Sequence, residues 1–88
     1  MRKDLTKFDH TIGKIVLDNY DMIMSCTTKT AVLDTIKSLF ANENLNTEGS
    51  RRMILRLTQV HSLTQSLTLV ANYYLAAKGL STRAKARI

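Results

Sequence analysis

The stretch from Thr47 to Lys78 constrains the fold more than any other part of the chain. The whole chain lacks proline, and the only glycine inside this stretch, Gly49, falls in its first turn. Met53, Leu57, Val60, Leu63, Leu67, Val70, Tyr74 and Ala77 recur at steps of three and four, which aligns them on one helical face. Asn44-Leu45-Asn46-Thr47 supplies turn chemistry in front, with Asn46 or Thr47 placed to cap the first free amides. Gly79 comes next as the residue type that ends helices in a left-handed conformation, and Leu80 is placed to complete a Schellman ending. The pattern predicts one helix over 47–78. Such a helix is about 48 Å long, whereas a compact globule of this chain length is roughly 30 Å across. It must therefore bend without proline, belong to an elongated fold, or pack on another chain.

Two shorter helices precede it. Leu5, Phe8, Ile12, Ile15, Val16, Tyr20 and Ile23 share a helical face over 3–25, with Lys14 and Asp18 paired four apart on the outside. Gly13 in mid-helix points to a close crossing with another element, where no side chain fits. Ser25-Cys26-Thr27-Thr28 interrupts the pattern and caps a second helix over 28–41, whose inner set is Val32, Leu33, Ile36, Leu39 and Phe40. With three glycines, no proline and 44% hydrophobic residues in 88 positions, the chain reads as all-α. The expected architecture is a small bundle of three helices (3–25, 28–41 and 47–78) in a single domain over 1–80. The segment 81–88 is a short basic tail.

Charge divides the chain. Residues 1–48 carry six basic and seven acidic side chains, whereas residues 49–88 carry seven basic and none acidic, so the net charge of +6 sits in the second half. Segregation of this kind points to a polyanionic partner, nucleic acid before anionic lipid. Arg51, Arg52, Arg56, Lys78, Arg83, Lys85 and Arg87 are the candidate contacts, a grip on phosphates rather than on base edges. The ordinary alternative is that Arg51 and Arg52 pair with Glu48 or with Asp18 and Asp21.

From Leu57 through Ala77 no residue is charged if His61 is neutral. Neutral polar groups in place of lysine and glutamate suit a surface that meets protein. Gln59, Leu63, Ser66, Leu67, Val70, Tyr73 and Tyr74 are the expected interface, most simply of a two-fold homodimer. The alternative is a monomeric bundle in which the long helix is central.

Catalysis finds no support: His10, His61 and Cys26 lie on separate elements, and no glycine loop cradles phosphate. No metal-ligand spacing is present, and no cofactor is expected. Cys26 alone forms no internal disulfide and suits a reduced cytoplasm. The first residues lack the apolar run of an export signal, and no apolar stretch is long enough to span a membrane. A helix-turn-helix over the second and third helices fits poorly, because the connection is long and the following helix far too long. The expected function is that of a non-enzymatic, oligomeric nucleic-acid-binding accessory or regulatory protein. The alternative is a protein-interaction module, an adaptor or inhibitor docking through the uncharged face.

Overall fold

The computed structural model describes residues 10–86, with side chains through Gly79. The described residues form four helices: α1 (His10–Met24), α2 (Lys29–Asn42), α3 (Glu48–Gln59) and α4 (Leu63–Ala86). Leu5, Phe8 and Arg87 lie outside the described residues, as do the side chains of Leu80, Arg83 and Lys85.

The all-helical class stands, but the helix expected over 47–78 is two helices joined at Val60-His61-Ser62. Val60 turns to an extended conformation (φ −72°, ψ 156°) and ends α3. Ser62 then starts α4: its Oγ accepts from the Gln65 amide at 3.2 Å, while the Gln65 side chain accepts from the His61 amide at 2.6 Å. This is a capping box displaced by one residue on its return arm, and it satisfies amides that the break leaves free. The carbonyl of Val60 receives the ammonium of Lys29 at 2.9 Å.

The far end also differs from expectation. α4 continues through Gly79 to Ala86, and no glycine among the described residues has positive φ. The Schellman ending occurs after α2 instead. There Asn44 takes the left-handed conformation (φ 54°), its amide donates to the Ala41 carbonyl at 3.0 Å, and the Leu45 amide donates to Phe40 at 2.9 Å. Asparagine tolerates this backbone better than most side chains, and Leu45 packs against the core as the motif's apolar partner. Thr28 caps α2 by accepting from the Ala31 amide. Thr47 and Ser50 cap α3 reciprocally, each side-chain oxygen accepting from the other's amide at 3.1 and 2.9 Å.

The helical faces close on one core. α1 packs chiefly along α4, while α2 touches α1, α3 and α4. Ile12, Val16 and Ile23 from α1 meet Val32, Ile36 and Phe40 from α2, Met53 and Leu57 from α3, and Val70 from α4. Each such side chain contributes about 1.5–3 kcal/mol on burial. Gly13 is buried among them, and the exposed pair Lys14–Asp18 forms at 3.1 Å. α1 kinks at Asn19 (φ −122°, ψ 17°), whose side-chain amide donates to the Ile15 carbonyl at 2.7 Å. The described residues span 41 × 25 × 23 Å. That long axis holds α4, about 36 Å for 24 residues, and the elbow is what fits the whole 47–78 stretch within it.

Candidate nucleic-acid interface

α3 is amphipathic in a way that fixes its outward side. Ser50, Met53 and Leu57 are buried, and Arg51, Arg52, Leu55, Arg56, Thr58 and Gln59 face solvent. Arg51, Arg52 and Arg56 are all exposed on this face. Two of the three have local partners. Arg51 Nη1 donates to the Asn46 carbonyl and side-chain oxygen at 3.1 and 3.0 Å. Arg52 pairs with Glu48 at 3.2 Å across a helical turn. Neither reaches Asp18 or Asp21 in a described ion pair. Both interactions are open to water and hold the guanidinium groups weakly.

Arg56 has no ion pair among the described residues. The elbow changes its electrostatic setting. In one long helix from Thr47 Arg56 would stand in the interior, away from either end, whereas here it occupies the last turn of α3, where the helix dipole favours a cation. It borders a groove of about 440 Å³ inside the elbow, lined by Arg56, Gln59, Val60, His61, Gln65, Thr68, Leu69 and Asn72. The lining has a guanidinium, an imidazole, amides and a hydroxyl around an apolar floor that includes Val60 and Leu69. Among the described residues its lining contains no carboxylate. Such a surface offers hydrogen-bond donors to an anion with no like charge to repel it.

The remaining basic candidates do not join this patch. Lys78 lies 15 residues along α4 from Leu63, about 22 Å by helical rise, and its ammonium sits 5.4 Å from the Tyr74 ring centroid. That ring stacks on Tyr20 at 3.8 Å between centroids and 16° between planes. Beside it, a hollow of about 250 Å³ is lined partly by Asp18 and Asp21, so this end is of mixed charge. Arg83 and Lys85 follow on the same helix, with no side-chain placement described.

The expected interface residues divide. Ser66 and Val70 are completely buried within the single chain, and Leu63, Leu67, Tyr73 and Tyr74 pack half-buried against its core. Their uncharged character reflects contacts inside the bundle. Gln59 alone of the set is exposed. The Ser66 hydroxyl bonds back to the Ser62 carbonyl at 3.3 Å, which lets a polar residue enter the core without a lost hydrogen bond. The exposed strip of α4 lies on the opposite side, through Gln65, Thr68, Asn72 and Leu75.

The Cys26 thiol is half-buried, 3.5 Å from the Thr35 hydroxyl. Among the described residues no three His, Cys, Asp or Glu side chains gather as metal ligands. No helix among them is long and apolar enough to cross a membrane. Sequence reasoning missed the roles of Lys29, Ser62 and Gln65 in building the groove. Ser62-Leu63-Thr64-Gln65 has the spacing of a capping box, a signal that the continuous apolar periodicity overrode; the Lys29 contact has no local signal. No family model matches this chain, and no match emerged among curated proteins or solved structures.

Proposed function

We propose that the protein is a non-enzymatic nucleic-acid-binding accessory factor of the cytoplasm that holds the phosphate backbone with the outer face of α3. The observation that carries this reading is the exposure of Arg51, Arg52 and Arg56 on one helix, beside a groove whose described lining has no carboxylate. Arg56 leads because it has no ion pair among the described residues, and His61 and the groove amides supply further donors. Phosphate contacts of this kind position a protein without reading base sequence. The shortness of α3, 12 residues, removes one objection to a helix-turn-helix reading. The five-residue connection after Asn42 still exceeds that motif's three or four.

The test is binding of short duplex and single-stranded oligonucleotides against salt concentration. Three phosphate contacts on duplex give a slope of log affinity against log salt of about −3, and replacing one arginine by alanine reduces it by about one. Binding that is absent at low salt, or that is indifferent to R51A/R52A/R56A, overturns the reading.

A second reading rests on a different observation. Leu55 on α3 and Leu75 on α4 are 55% and 63% exposed, and the exposed strip of α4 from Gln65 to Leu75 is uncharged. Docking of a protein there would survive high salt and be lost on Leu75→Asp. Salt dependence separates the two readings.

A further inference from the structure

The apolar register crosses the elbow without a phase shift. Met53, Leu57, Val60, Leu63, Leu67 and Val70 recur at steps of three and four from α3 into α4. Sharp helix breaks ordinarily have a proline, a glycine pair or an inserted residue as their cause; Val60-His61-Ser62 has none. Side chains make the break instead, each at a backbone group that a continuous helix would pair differently. Lys29 occupies the Val60 carbonyl, which the Thr64 amide would otherwise reach. Gln65 holds the His61 amide, whose helical acceptor would be Leu57, and Ser62 holds the Gln65 amide, whose acceptor would be His61.

The packing leaves the elbow free to open. α3 rests on α2 and α4 on α1 and α2, with little contact between α3 and α4. Straightening therefore lifts α4 from its bed as a unit and uncovers one apolar surface on each side. The only chain that carries a second α4 of matching shape is another copy. We propose that the elbow is a hinge, and that the protein forms a domain-swapped dimer. Residues 48–86 then run as one helix, and each α4 packs on α1 and α2 of the other copy. Every contact of α4 with α1 and α2 is remade between copies, and the side-chain caps are exchanged for backbone hydrogen bonds, so closure is two-fold. The Tyr20–Tyr74 stack becomes a contact between chains. The dimer needs no nucleic acid, and straightening opens out the groove inside the elbow, so the groove of the function proposed above belongs to the monomer.

The experiment combines a hinge-releasing variant with a test of which copy supplies α4. K29M/S62A removes two of the groups that hold the elbow, and light scattering reads the association state. The expected shift towards dimer is about tenfold or more, from two lost interactions of hydrogen-bond strength. Leu63→Pro has the opposite effect, since proline suits the first position of α4 and obstructs a continuous helix; the protein then stays monomeric. In a C26S background, copies bearing Tyr20→Cys are refolded with copies bearing Tyr74→Cys and treated with a short thiol-to-thiol crosslinker. A covalent heterodimer is the expected product. A K29M/S62A protein that stays helical and monomeric at high concentration overturns the proposal, as does a dimer that yields no crosslinked heterodimer. Should K29M/S62A not fold, the same crosslinking pair is refolded at high concentration with Lys29 and Ser62 intact. The covalent heterodimer then supports the swap, and its absence overturns it.

Discussion

The Lys29 ammonium donates to the Val60 carbonyl at 2.9 Å, joining residues 31 apart in sequence. Lys29 opens α2 and Val60 ends α3, so a single charged group anchors the C-terminus of one helix to the N-terminus of another. The carbonyl is one of those left free at a helix end, and a cation there is favoured by the helix dipole as well as by the hydrogen bond. Replacing Lys29 by methionine keeps most of the apolar stem and removes both terms. Expected destabilisation is about 1–2 kcal/mol, as the contact is charge-assisted and part-buried. Urea unfolding followed by circular dichroism measures it; a K29M protein within error of the parent would show that water replaces the lysine at no cost.

Asn44 tests the turn between α2 and α3. Its φ of 54° is strained for a side chain branched at Cβ. Asn44→Val is expected to lose about 1–2 kcal/mol, and Asn44→Gly to be neutral or slightly stabilising. Thermal melts of the two variants should move apart. Equal melts would place the strain elsewhere in the turn.

The helical class and the inner faces were legible because burial follows period. Ile12, Ile15, Val16 and Ile23, Val32, Ile36 and Phe40, Met53 and Leu57, and Val70 are all buried and all lie on the stripes their spacing defines. The elbow was not legible from spacing. Val60, Leu63 and Leu67 keep the stripe intact, so apolar periodicity carries no mark of a break made by the Ser62 and Gln65 caps and by a lysine on another helix. Gly79 misled for a related reason: a glycine near the end of a periodic run has the composition of a helix stop, but it serves as one only where the next residues leave the helix. For the candidate site, the charge asymmetry pointed to Arg51, Arg52 and Arg56, which are exposed. It also grouped them with Lys78, which the fold sets about 22 Å along another helix. The uncharged run from Leu57 to Ala77 was a mixed signal, since neutral polar residues such as Ser66 serve the chain's own core as well as a partner's surface.

Tyr20 and Tyr74 tie the longest contact in the bundle, that of α1 with α4. Stacked rings at this separation contribute beyond their buried area. A double-mutant cycle with Tyr20→Leu and Tyr74→Leu is expected to give a coupling of about 0.5–1.5 kcal/mol. Tyr74→Leu should cost more than Tyr20→Leu, because it also removes the ring beneath the Lys78 ammonium. Additive single mutants would reduce the stack to simple apolar burial.

Gly79 gives a prediction in which the sign alone decides. If this glycine ended α4 in a left-handed conformation, alanine there would be strained by about 1–2 kcal/mol. In this fold it lies inside α4, has no positive φ, and an added Cβ would meet nothing within 4 Å. Alanine then brings only its advantages: a less flexible unfolded chain and better helix propensity. Gly79→Ala is expected to stabilise the protein by about 0.4–1 kcal/mol. For a domain of this size that raises the melting temperature by several degrees at most. A melting temperature lowered by the substitution would restore Gly79 as the end of the helix and detach residues 80–86 from α4.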